Sequence, residues 1–155
     1  LPALKDQQTT TTLIPYCMAA NDILIDSAGF LALWDSTDVH HDRAVALLAK
    51  LTDNGYRFLT TDYVIDESAT LLLMRHSHLA ASDFLETIDR SKAISLEWVG
   101  PSRYHTASQF FRKYSDKKWS FTDCVSFCLM QELNITDSLT SDHHFRQAGF
   151  NPLLS

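Results

Sequence analysis

The sequence predicts an α/β fold: a parallel sheet of four to five strands, covered by helices on both faces. Two observations carry this. Short apolar runs of strand length alternate with longer segments of helical period along the chain, and that alternation is how parallel sheets are built. The first such run, Ile23-Leu24-Ile25, is continuously apolar, as in a buried strand, and ends abruptly at Asp26.

Each element has a local reason. After the first strand, Ser27 to Trp34 reads as a short helix. Ser36 or Thr37 can cap the next helix, with Val39, Ala44, Val45, Leu47, Leu48 and Leu51 as its apolar positions and Asn54-Gly55 as its stop. Arg57 to Thr60 is a second strand. Thr61 or Asp62 starts a helix with Val64, Glu67, Ser68, Leu71 and Leu72 along one face. Another helix spans Leu79 to Arg90. Ala93 to Val99 is a third strand, and Gly100-Pro101-Ser102 opens a helix running to Tyr114, since proline suits a first turn. Ser120 caps a helix from Phe121 to Leu133 that Asn134 ends. Ile135 to Thr140 is a fourth strand; a helical turn at His143 to Gln147, Gly149 and a strand at Phe150 to Leu154 complete the chain.

A length of 155 residues suits one domain with a substantial core. Residues 18–155 are expected to form it, with no repeats or linker. Residues 1–17, with a threonine run between Pro2 and Pro15, are expected to be a tag remnant or disordered extension, because Met18 directly precedes the first strand segment. They lack the basic and apolar regions of a signal peptide. No apolar run reaches the roughly 18 residues of a membrane span. The net charge of −6 excludes a general electrostatic grip on nucleic acid, though a local basic patch and a metal can offset the repulsion. Cys17, Cys124 and Cys128 make no disulfide framework; Cys124 and Cys128 read as small buried hydrophobes, and the expected setting is a reducing cytoplasm.

Four carboxylates stand out: Asp26, Glu67, Asp123 and Asp142. Each follows or enters an apolar stretch, where a lone charge is costly to bury. In open parallel sheets ligands bind beyond the carboxyl ends of the strands, and Asp26 and Asp142 both fall there. Glu67 lies three residues after Val64 and four before Leu71, on the apolar stripe, whereas Asp66 falls on a polar face. Asp123 sits in the first turn of a helix that is apolar almost all round. Acids converging at one edge need a cation, and an all-oxygen set suits Mg²⁺ or Mn²⁺. Taken singly, Asp123 also reads as a helix N-terminal acid and Asp142 as an Asx-turn residue.

The segments ILIDSAGFLAL, TTDYVIDESATLL, FTDCVSF and LTSDHHFRQAGF resemble the motifs of PIN domains, and particularly of VapC-type toxin ribonucleases. The resemblance covers residues 22–155. It implies a three-layer α/β/α sandwich, often dimeric, in which acids matching Asp26, Glu67, Asp123 and Asp142 hold Mg²⁺ or Mn²⁺ and support endonucleolytic cleavage of RNA. It also implies a small antitoxin partner. Two departures are the long connection between Glu67 and Asp123 and the N-terminal extension.

Around the acids, Ser27, Thr122 and Ser141 are candidates to orient carboxylates or waters, or serve as caps and turn formers. His143 is a candidate to reach the phosphate or a water. No histidine pair offers a zinc-ligand spacing. The segment FFRKYSDKKWSF places Arg112, Lys113, Lys117, Lys118 and Trp119 near Asp123 as a candidate RNA-binding rim, basic side chains for phosphates and aromatic rings for bases. The same residues also read as a solvated helix end over packed aromatics.

Rival readings fit less well. Haloacid-dehalogenase-like phosphatases carry D-x-D after the first strand, and here the triplet is Asp26-Ser27-Ala28. A response-regulator receiver wants a late lysine, and none follows Asp142. Two alternatives remain: a catalytically weak or inactive RNA-binding module, and a structure-specific DNA nuclease.

Overall fold

The structure, a computed structural model, describes residues 21–155, so the expectation for residues 1–17 lies outside it. The elements in order are β1 (Asp22–Ile25), α1 (Ser27–Trp34), α2 (His41–Asp53), β2 (Arg57–Thr61), α3 (Asp62–Arg75), α4 (His78–Arg90), β3 (Ile94–Glu97), α5 (Pro101–Lys113), α6 (Phe121–Leu133), β4 (Asp137–Leu139), α7 (His143–Gln147) and β5 (Asn151–Pro152). The five strands form one parallel sheet in the order β3-β2-β1-β4-β5. The predicted parallel sheet is present, with helices on both sides.

Side-chain alternation along the central strands builds two cores. Ile23, Ile25 and Phe58 pack on one face with Phe30, Val64, Leu72, Phe84 and Ile88 from α1, α3 and α4. Leu24 and Leu59 point to the other face, against Cys124, Phe127, Met130 and Phe145 from α6 and α7. A strand buried on both faces reads as a continuous apolar run, which is why β1 was recognisable.

Two local features tie α1 to the sheet. A Cβ on Gly29 would meet the backbone oxygen of Leu139 at 2.0 Å, so only glycine lets α1 approach the end of β4 this closely. Asp26 N–H also donates to the Leu139 carbonyl at 3.4 Å. The chain moves from β1 to β2 and β3 on one side, then to β4 and β5 on the other. The carboxyl ends of β1 and β4 therefore form the switch point where open α/β sheets bind ligands.

One helix start differs from expectation. Neither Ser36 nor Thr37 caps α2, which begins at His41 without a side-chain cap, and Val39 is exposed. Thr37 is bound instead by Asp35, which accepts both its N–H at 2.9 Å and its hydroxyl at 2.6 Å. That local Asx turn competes with helix initiation.

Candidate functional site

Three helix N-termini converge at the switch point, and each carries an acid. Asp26 is the N-cap of α1, its carboxylate accepting from Ala28 N–H at 3.5 Å. Asp142 is the N-cap of α7, accepting from His144 N–H at 2.8 Å. Asp123 lies in the first turn of α6, where it forms a capping box: Ser120 N–H donates to its Oδ2 at 2.7 Å, and its own N–H donates to Ser120 Oγ at 2.9 Å. Glu67 approaches from α3, half-buried, while its neighbour Asp66 is exposed. The helix-capping role read for single acids is thus present, and their convergence is present as well.

The electrostatics show that these acids share one field. Burial pushes the Asp26 carboxyl up to about 7 from its ordinary 3.8, and the charges of Asp123 and Glu67 add to the rise, against the backbone N–H groups of Ser27 and Ala28. Asp123 is also raised, first by burial; the Ser120 N–H opposes this, Asp142 adds to it and His144 offsets it. Asp26 is 2% exposed, and its Oδ1 has no hydrogen-bond partner. An acid buried against other acids, with an orphaned oxygen, lacks the counter-charge and hydrogen-bond donor that such burial calls for, and a cation would supply that charge. The donors of the four acids are carboxylate oxygens, the chemistry that suits a hard divalent ion such as Mg²⁺ or Mn²⁺, although among the described residues no three of these acids bring oxygens within 4.8 Å of one another.

The groups that hold the acids differ from those expected. No side-chain hydrogen bond joins Ser27, Thr122 or Ser141 to the four acids among the described residues. Thr140 makes that contact instead: its hydroxyl donates to Asp26 Oδ2 at 3.2 Å and accepts from Asp142 N–H at 3.0 Å, linking the ends of β1 and β4. The signal for Thr140 was its place as the last residue of a buried strand segment, two after Ser138.

The histidines also exchange roles. His143 is 70% exposed, with Nδ1 3.5 Å from Asp142 Oδ1. His144 is only 20% exposed, and its Nδ1 lies 3.4 Å from Asp123 Oδ2 and 3.5 Å from Asp142 Oδ2. Asp142, His143 and His144 bring one ligand atom each within 4.8 Å of one another, so imidazole nitrogen also stands beside the oxygen set. His144 went unrecognised because its orientation depends on α7 packing against α6.

The rim divides. Arg112, Lys113, Lys117 and Lys118 are exposed. Trp119 is not: it is 7% exposed, stacked on Phe110 at 5.9 Å and edge-on to Phe127 at 5.2 Å, with its indole N–H on Gln147 Oε1 at 3.3 Å. Its expected place on an RNA-stacking surface is corrected: the ring belongs to the second core, where the apolar surface of α6 buries it. Exposed aromatic surface lies nearby at Tyr104 and Phe111, both packed on Phe121.

Comparison with known proteins gives a consistent result. Residues 23–151 match the model of the PIN domain family. A VapC ribonuclease of Archaeoglobus fulgidus is 28% identical over 114 residues, covering 72% of each chain. The 23S rRNA-specific endonuclease VapC20 of Mycobacterium tuberculosis is 28% identical over 128 residues, 83% of this chain and 95% of that one. The crystal structure of that VapC20, described as a sarcin-ricin loop cleaving toxin, superposes with a TM-score of 0.75 at 27% identity, over the same shares of the two chains.

Proposed function

The chain belongs to the PIN domain family, and from that premise we propose that it is a metal-dependent endoribonuclease, the toxin of a type II toxin–antitoxin pair. Its substrate is RNA, and its cofactor is Mg²⁺ or Mn²⁺ held by Asp26, Glu67, Asp123 and Asp142. The single observation that carries the reading is the set of converging acids whose charges raise one another, with one buried oxygen of Asp26 left unpartnered. The names of the VapC relatives support the substrate class and the toxin role.

Asp26 and Asp123 are the two buried members and the principal ligands in this reading. Glu67 and Asp142, more open to solvent, would hold the ion directly or through water. When bound, the ion supplies a water of lowered pKa and offsets the charge that builds on the phosphate. The chain does the rest. Thr140 fixes Asp26 relative to Asp142, the Ser120 capping box fixes Asp123, and His144 stands between Asp123 and Asp142. The N-termini of α1 and α6 add positive dipole ends that favour an anionic substrate at this edge.

As a toxin, the protein takes a small antitoxin that inserts a segment near the acidic edge, with a basic side chain meeting the carboxylates; pairing of two copies belongs to the same reading. Cytoplasmic residence accords with the free thiols of Cys124 and Cys128. Among the described residues, no helix is long and apolar enough to cross a membrane.

The test is cleavage of mixed RNA and DNA oligonucleotides with Mg²⁺, Mn²⁺ or EDTA, comparing wild type with Asp26→Asn and Asp123→Asn. RNA should be cut, and EDTA or either substitution should stop it. Equal activity in the variants would sink the mechanism. Co-purification of a small protein from the native host tests the toxin assignment.

A further inference from the structure

The basic segment before α6 and the short helix α7 enclose an open groove of about 470 Å³, lined by Asp116, Lys117, Lys118, His143, His144 and Gln147. That volume is in the range of clefts that hold small ligands. One wall carries the two lysines. The other begins at His144, whose Nδ1 lies within 3.5 Å of both Asp123 and Asp142. The groove therefore meets the acidic cluster through His144 and is itself lined by two lysines and one acid, Asp116.

Resting on the ribonuclease reading, we infer that this groove is the subsite for the RNA backbone next to the cleaved bond, with Lys117 and Lys118 holding a phosphodiester anion. The chain carries a net charge of −6, so an RNA strand approaching the acids needs local cations at the point of entry. Lys118 forms no ion pair among the described residues. Among the described residues Lys117 pairs only with the exposed Asp116, at 3.3 Å, and such a surface pair contributes little and exchanges readily for a phosphate.

The groove is also braced. Trp119, next in sequence to Lys118, is anchored in the core and donates its indole N–H to Gln147 Oε1 at 3.3 Å, which ties the lysine segment to α7. Because that contact uses the amide oxygen, the Gln147 amide nitrogen remains as a further donor without a partner among the described residues. Trp119 is thus a positioning residue for the subsite. No other groove described here combines both lysines with His144. The one between α5 and α6 has Arg103 already held by Glu97 and Glu132, at 2.9 Å each. The one beside Arg112 shares Lys117 but is walled by Phe111, Tyr114 and Trp119, and it includes neither Lys118 nor either histidine.

The experiment measures binding of a fluorescent single-stranded RNA by anisotropy in EDTA at low salt, and RNA cleavage in Mn²⁺. The variants are Lys117→Ala/Lys118→Ala and Lys50→Ala/Lys92→Ala; the second pair removes the same charge from exposed positions on α2 and before β3, outside the groove. The groove pair should lose about tenfold in RNA affinity, show a salt dependence shallower by about one to two in log–log slope, and raise KM with kcat retained. The remote pair should change affinity less than twofold. Equal losses in both pairs, or no loss in the groove pair, would overturn the subsite. Failure of wild type to cut RNA while the groove pair alone loses binding would sink the ribonuclease reading and uphold the groove.

Discussion

The two central strands, β1 and β4, carry acids at both ends, and the two ends are treated differently. At the amino ends, Asp22 receives two parallel bonds from the Arg57 guanidinium at 2.9 Å each, and Asp137 receives the side-chain amide of Asn151 at 2.7 Å. At the carboxyl ends, Asp26 and Asp142 face further acids, and burial and like charge push Asp26 up to about 7. The same residue type on the same strands is compensated at one edge and left without a full set of partners at the other. A carboxylate with its partner supplied supports the fold; carboxylates gathered without one are the candidates for a ligand from outside.

The largest expected break in this contrast is in activity. Asp26→Asn or Asp123→Asn should lower RNA cleavage by at least about a hundredfold, whereas Asp22→Asn should leave it within about twofold. Single-turnover assays in Mn²⁺ decide this.

Next comes the close approach that sets the site. Gly29→Ala places a methyl on the Leu139 carbonyl and must push α1 away from β4. A loss of about 3 kcal/mol in urea-unfolding stability is expected, with cleavage lost as Asp26 moves away from Asp142.

The pH dependence sharpens the contrast further. The Asp26 carboxyl has a folded pKa of about 7 against an ordinary value of 3.8, so between these limits the folded state holds a proton that the unfolded state has released. Stability from this group is present below about pH 4 and is lost as pH rises through about 7. In metal-free protein, Asp26→Asn should therefore raise Tm at pH 8 by several degrees and have little effect at pH 4. Thermal melts of both proteins at the two pH values check the sign. Asp22→Asn, which weakens a compensated acid, should instead cost about 1 kcal/mol at pH 8.

The smallest effect expected belongs to the histidine between two acids. His144→Ala should weaken Mn²⁺ binding about tenfold by calorimetry, with His143→Ala weakening it less, because His143 is exposed and approaches Asp142 alone.

Much of this was legible because local chemistry repeats what tertiary packing demands. Ser120 and Asn134 bound α6 where a cap and a stop were expected, and Asn134 stops it in the left-handed conformation, at φ 54°. Helical phase alone separated half-buried Glu67 from exposed Asp66. What remained hidden depends on contacts distant in sequence. Trp119 looks like a surface ring beside four basic residues until α6 and α7 close over it. His144 looks no different from His143 until α7 is laid against α6. Thr140 becomes a linker only when β1 and β4 are paired. The late start of α2 was hidden by a nearer competitor, the Asp35–Thr37 turn.

Acids gathered at the carboxyl ends for a divalent cation must gain stability when that cation binds. The direct measurement is the Tm of wild type, Asp26→Asn and Asp123→Asn at pH 7.5, each with and without millimolar Mn²⁺, since an ion that binds the folded state raises Tm by mass action. A rise of several degrees in wild type, absent or strongly reduced in both variants, is the predicted result. No rise in wild type, or an equal rise in all three, would contradict it.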